Sequence, residues 1–164
     1  MEADAPSPQR ATAGGAPADA SPSLRFDGTW RLISFEAQDA TGEVTYPMGP
    51  DVTGVLMYDR AEHMAVRLMR PGRHRFASAD PVRGSPTEIK AAFEGFLAYY
   101  GTYTADPARG TVTHHIVGCS FPNWVGTAQE RYFRFDGDHL TLSTPVLEIA
   151  GRRVVSVLLW ERVA

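Results

Sequence analysis

From residue 24 onward, large apolar side chains tend to recur at every second position, in short runs separated by turns rich in glycine, proline and aspartate. That period is the one a strand shows when one of its faces is buried. Phe26-Asp27-Gly28-Thr29-Trp30 reads as a turn entering a strand, Trp30 to Ala37, with Leu32, Ile33 and Phe35 among polar neighbours. A turn at Asp39-Ala40-Thr41-Gly42 leads to a short return strand, Glu43 to Tyr46, broken by Pro47-Met48-Gly49-Pro50. Thr53 to Tyr58 and His63 to Met69 form a hairpin around Asp59-Arg60-Ala61-Glu62, with Met64, Val66 and Leu68 alternating. The period then changes. Ile89, Ala92, Phe93 and Phe96 fall at i, i+3, i+4 and i+7, which predicts a helix over about 86–96. Ser85 or Thr87 is its cap, Pro86 suits the first turn, and Glu88 sits near the positive end of the helix.

From Leu97 the period returns to two. Tyr99, Gly101 and Tyr103 share one face; after the turn at Asp106-Pro107-Ala108-Arg109-Gly110, Val112, His114 and Ile116 share another. Pro122-Asn123-Trp124-Val125-Gly126 interrupts, Thr127 to Phe135 follows, and Leu140 to Ser143 and Val154 to Arg162 complete the set. The reading is all-β: about eight to ten antiparallel strands with one short helix near 86–96. So many strands remove their exposed edges best by closing, and the last strand beside the first would close a barrel.

Composition narrows this further. A chain of 164 residues makes one domain, here residues 24–164, behind a tail at 1–23 of Ala, Pro, Ser, Gly and Asp. Such a tail has too little apolar surface to offset its ordering entropy and is expected to be disordered. The net charge of −3 is carried mostly by that tail, so the body is near neutral and offers no basic stripe for nucleic acid. The cluster Arg67, Arg70, Arg73, His74 and Arg75 reads first as a solvated loop. The single cysteine, Cys119, fits a reducing compartment. No apolar stretch reaches transmembrane length and the start is no secretory leader, so a cytoplasmic location is expected.

Candidate chemistry collects between Tyr99 and Phe135. Adjacent strand residues point to opposite faces, so His114 and His115 cannot line one cavity; the more apolar face puts His114 inside. There it is either a hydrogen-bonded core residue or part of a site. Arg131 shares a face with Phe133 and Phe135; if that face is interior, it is a buried cation needing Glu36, Glu94 or an anionic or carbonyl-bearing ligand as partner. The alternative turns Tyr132 inward. Tyr99 and Tyr103 are wall residues or hydrogen-bond donors to a ligand, and Gly101 between them leaves room or marks a bend. Asn123 and Trp124 lie in a rigid loop between strands, where Trp124 could lid a cavity mouth and Asn123 cap a turn; Trp30 is base packing. No spacing suits a metal, and no motif suits a phosphate or a nicotinamide cofactor, so none is expected.

Several pieces carry a resemblance to a known family. Gly28-Thr29-Trp30-Arg31-Leu32-Ile33-Ser34-Phe35-Glu36 resembles the opening strand of lipocalins. With Tyr46-Pro47-Met48-Gly49-Pro50, Gly54-Val55-Leu56-Met57-Tyr58, Ala92 to Gly101, Val112-Thr113-His114-His115, Phe121 to Thr127 and Leu140 to Pro145, the chain resembles the bacterial and fungal lipocalin-like domain proteins over about residues 26–162. That resemblance implies a lipocalin-like barrel with an inner cavity and no defined reaction. The expected function is intracellular binding of a small hydrophobic or amphipathic molecule by a monomer or homodimer. Tyr99, Tyr103, His114, Asn123, Trp124, Arg131 and Phe133 would form the site. A cofactor-independent cyclase, isomerase or dehydratase acting on a polyketide- or terpenoid-like intermediate is the alternative. In it His114 is the acid or base, and Tyr103 or Arg131 holds the oxyanion. A filled barrel with no site is the third possibility.

Overall fold

The computed structural model describes residues 25–149 and 151–163, so the tail expected over 1–23 lies outside the described residues. Ten strands are present: β1 (Gly28–Asp39), β2 (Val44–Thr45), β3 (Thr53–Tyr58), β4 (His63–Met69), β5 (Phe96–Asp106), β6 (Thr111–Cys119), β7 (Ala128–Asp136), β8 (His139–Ser143), β9 (Leu147–Ile149) and β10 (Arg152–Arg162). One helix, α1 (Pro86–Glu94), and a 3-10 turn at Pro122–Trp124 complete the described elements. Eight strands, in the order β1-β3-β4-β5-β6-β7-β8-β10, form an antiparallel barrel. It closes where β10 returns along β1, from Trp30↔Arg162 to Asp39↔Val154. β2 and β9 are short additions, on Ala37–Gln38 of β1 and on Arg152–Val154 of β10. The three-residue β9 is not among the strands that periodicity predicts, because so short a run displays no period.

Two register shifts decide which side chains reach the interior. In β1 the pairing with β10 slips between Leu32 and Ser34. Trp30 and Leu32 are buried, and strict alternation would next turn Ser34 and Glu36 inward; the bulge instead sends Phe35 to the interior. In the β5–β6 pair the slip falls between Tyr100 and Gly101. A Cβ on Gly101 would stand 1.9 Å from the His115 carbonyl oxygen, so glycine there permits backbone contact across the bulge. The sequence allowed it to leave room beside a ligand; the room is taken by β6.

The helix starts as its sequence directs. Ser85 is the cap: its Oγ accepts from the Glu88 N–H at 3.3 Å, and the Glu88 carboxylate accepts from the Ser85 N–H at 2.8 Å. Pro86 occupies the first turn. The helix ends at Glu94, two residues before the predicted limit, because Phe96 already begins β5. Its apolar stripe is not buried: Ile89 and Phe93 are each 50% exposed.

One end of the barrel is filled. The Phe26 ring packs on Tyr58, Tyr103, Phe133 and Phe135 at centroid distances of 5.1, 5.8, 5.0 and 4.9 Å. Each such contact contributes about 0.5–1.5 kcal/mol beyond the area it buries. Trp30, fully buried, donates its indole N–H to the Phe26 carbonyl at 2.8 Å. The Arg162 guanidinium lies 4.1 Å over the Trp30 ring and donates to the carbonyls of Arg25 and Asp27. The chain entering β1 is thereby tied across this end, and none of the rings packed there lines the open interior space farther along the barrel.

Candidate functional site

That space is a cavity of about 520 Å³. Its walls are mainly apolar: Phe35 from β1, Met48 from the loop before β3, Val66 and Leu68 from β4, Leu97 from β5, Leu142 from β8, Leu147 from β9 and Leu158 and Trp160 from β10. Phe121 and Trp124 stand at the mouth, where the Trp124 ring meets Phe121 at 5.9 Å and Tyr99 at 6.0 Å. No residue of α1 lines the cavity; Phe93 and Glu94 border a neighbouring groove that shares Met48, Leu97, Phe121 and Trp124 with it. The helix therefore stands beside the mouth rather than across it.

Polar groups enter this apolar enclosure chiefly at Tyr99, Gln129 and Arg131. The β7 side chains Gln129, Arg131, Phe133 and Phe135 face inward, and Tyr132 is exposed. Arg131 is only 7% exposed. It donates to the Glu130 carbonyl at 2.8 Å and to the Tyr99 hydroxyl. Neither carboxylate considered from sequence serves it. Glu36 is turned away by the β1 bulge, since Phe35 takes the inner face, and Glu94 pairs with Lys90. Among the described residues Arg131 forms no ion pair.

Behind Tyr99 the polar chain continues. Tyr99 Oη lies 3.2 Å from His114 Nδ1, and Tyr58 Oη lies 2.7 Å from His114 Nε2. His114 is fully buried, and burial together with the charge of Arg131 lowers its pKa from 6.5 to about 3. The imidazole is therefore neutral at ordinary pH. It carries one proton, so one tyrosine donates to the ring and the other accepts from it. Burial also raises the pKa of Tyr99 and holds that of Tyr58 well above the ordinary phenol value, so both remain protonated donors.

The sequence candidates thus divide. Tyr99, Arg131 and Trp124 line the cavity. His114 lies one residue deeper, with both nitrogens bonded and Tyr99 between it and the space. Tyr103 and Phe133 belong to the filled end; the Tyr103 hydroxyl donates to the Asp59 carbonyl at 3.3 Å, and its pKa rises to about 12, first through desolvation and then through Glu62, Asp27 and Asp59. Asn123 is exposed in the 3-10 turn. Sequence reasoning passed over Tyr58 and Gln129, and gave Trp160 no role. Tyr58 shares its face with Leu56 at the end of β3, and that period-two pairing was the available signal for an inward phenol.

The arginine cluster is engaged on the surface. Arg70 reaches the Pro47 carbonyl, and Arg73 reaches the Ala92 carbonyl and stacks over Phe96. Among the described residues no group of three or more His, Cys, Asp or Glu could hold a metal ion, and no helix is long and apolar enough to cross a membrane.

A lipocalin-like domain model matches residues 27–163. The 4'-hydroxy-3'-methoxypropiophenone carrier protein ppsC of Aspergillus oryzae is 35% identical over 106 residues, spanning 60% of this chain and 96% of that protein. The solved structure of the zebrafish ileal bile acid-binding protein complexed with cholic acid aligns with a TM-score of 0.38 at 15% identity, covering 84% of this chain and 98% of the other.

Proposed function

The chain belongs to the lipocalin-like domain family, and from that premise we propose that it is a carrier that holds a small hydrophobic molecule inside its barrel. The observation that carries this reading is the cavity itself: about 520 Å³ of space with apolar walls and a few convergent polar groups at Tyr99, Gln129 and Arg131. Volumes of about 300–1,000 Å³ with such a lining are those of small-ligand sites. The apolar walls supply affinity, and the polar groups fix orientation. The similarity to a carrier of a phenolic ketone supports an oxygenated aromatic ligand, with its ring among Phe35, Leu142 and Leu158 and an oxygen turned toward Arg131. The free thiol of Cys119 supports a reducing, cytoplasmic setting.

Proton-transfer catalysis by His114 has less support. Its basicity is depressed, its ring is doubly hydrogen-bonded, and Tyr99 separates it from the cavity. A proton donor or acceptor needs hydrogen-bond reach of the reacting group.

The test is occupancy. The carrier reading expects native mass spectrometry of gently purified protein to show a retained small molecule, and a neutral apolar fluorophore such as N-phenyl-1-naphthylamine to bind the stripped protein. Leu158→Trp, which fills the space from β10, is expected to weaken that binding about tenfold or more, a change of about 1.4 kcal/mol. Equal binding by a correctly folded Leu158→Trp protein refutes the cavity as the site.

A further inference from the structure

Arg131 presents a buried positive charge to the cavity, and among the described residues nothing of opposite charge is paired with it. A buried charge persists at low cost only when compensated. The groups that face it do not compensate it. Tyr58 on β3, Tyr99 on β5 and His114 on β6 are neutral, and the thiol of Cys119 on β6 lies close enough to influence Tyr99. Glu148 on β9, the one acidic side chain on the lining, is exposed. Trp160, another residue of the lining, has its indole N–H buried without an acceptor among the described residues, and the Thr144 hydroxyl oxygen accepts from the Ser156 N–H at 3.0 Å.

We propose that this polar wall is an oxyanion site, which takes the phenolate or carboxylate oxygen of a small apolar acid between Arg131 and Tyr99. The inference rests on the carrier reading and narrows its ligand to a conjugate base. The hydrogen-bond chain behind Tyr99 supplies the matching donor. When His114 carries its proton on Nδ1, that N–H donates to Tyr99 Oη and the Tyr58 hydroxyl donates to Nε2. The Tyr99 O–H is then released to point at the ligand oxygen. With the proton on Nε2, Tyr99 instead donates to the ring and offers the cavity only lone pairs. An anion selects the first tautomer, so His114 and Tyr58 are positioning residues for Tyr99. Carboxylic acids and acidic phenols share this chemistry, and both are expected to bind better than their esters or methyl ethers.

The experiment uses 4-nitrophenol, whose phenol and phenolate absorb differently, with N-phenyl-1-naphthylamine as a neutral control. Bound to the wild-type chain, the nitrophenol is expected to ionise at least one pH unit below its free value, a tenfold or greater preference for the phenolate. Arg131→Met is expected to abolish that preference. Arg131→Lys is expected to keep part of the preference, and Tyr99→Phe to reduce it severalfold. Nitrogen-15 NMR of the histidine side chains is expected to show His114 as the Nδ1–H form in the complex; the Nε2–H form there overturns the role given to Tyr99. If nitrophenol ionises at or above its free value in protein that still binds the naphthylamine, the oxyanion site is refuted and the carrier reading stands. If neither probe binds, both fall. The wild-type titration decides the matter even if Arg131→Met does not fold.

Discussion

Replacing His114 with glutamine is expected to remove a pH dependence from the stability of the barrel. The wild-type imidazole is fully buried between two phenols, and its pKa drops from 6.5 to about 3, desolvation first and Arg131 second. Above pH 6.5 it is neutral in both folded and unfolded chains and contributes no slope. Between pH 6.5 and 3 the unfolded chain takes up a proton that the folded chain refuses, so stability falls as pH falls. Below about 3 both states are protonated and the loss is complete. At about 1.4 kcal/mol for each pH unit, the whole interval amounts to about 5 kcal/mol, and the portion from pH 6.5 to 4.5 to about 2–3 kcal/mol. Glutamine does not titrate, and its amide can donate to one tyrosine and accept from the other, so the variant keeps a partner for each hydroxyl. At pH 7 it is expected to cost about 1–3 kcal/mol from imperfect geometry. The assay is urea denaturation of both proteins from pH 4.5 to 7.5. Asp39, Asp59 and Glu88, whose pKa values are lowered by their hydrogen bonds, also weaken the fold in acid, but they are present in both proteins and cancel in the difference. The wild-type advantage is expected to shrink steadily below pH 6.5. Parallel stability curves, or a His114 ring resonance that titrates near pH 6.5, would refute the reasoning.

Gly101→Ala is expected to cost about 3 kcal/mol or more by urea melt, because its Cβ would overlap the His115 carbonyl at 1.9 Å and force the β5–β6 bulge apart. Glu62 closes the β3–β4 hairpin at φ 63°, the left-handed region; Glu62→Gly is expected to raise stability by about 0.5–1 kcal/mol, visible as a higher melting temperature. Ser85→Ala removes the cap of α1 and is expected to cost about 1 kcal/mol, with faster amide exchange confined to the helix and ligand binding unchanged, since no helix residue lines the cavity.

Much of this architecture was legible because hairpins advertise themselves. β3 and β4 alternate cleanly about Asp59–Glu62, and the pair β5 and β6 about the turn after Asp106. The helix announced itself twice, by its i, i+3, i+4 spacing and by the Ser85–Glu88 capping pair. The spacing suggested a buried face that the fold leaves half exposed, since amphipathicity shows which side could pack but not how closely a neighbour approaches. Bulges are where reading by alternation fails. One extra residue in β1 turns Phe35 into the cavity and Glu36 out of it, so the carboxylate considered for Arg131 was lost to a local irregularity with no plain signature in Leu32-Ile33-Ser34.

The cavity lining was legible only in part: Tyr99, Trp124 and Arg131 were among the candidates, whereas Tyr103, Phe133 and Asn123 lie elsewhere and Gln129 was passed over. The inward placement of His114 followed from its apolar neighbours, but its distance from the cavity depended on which partners crossed the barrel interior. Tyr58 and His114 are 56 positions apart and belong to strands that do not pair with each other. Such contacts arise from closure and leave no periodic trace along the chain. That same closure changes the meaning of the histidine. Exposed to the cavity, it could have served proton transfer; bonded on both sides and desolvated, it is neutral, and under the oxyanion proposal its tautomer decides whether Tyr99 offers a proton or a lone pair. Arg131 is then left as the charged group most deeply set in the lining, and the oxyanion proposal supplies the counter-charge that the described residues do not.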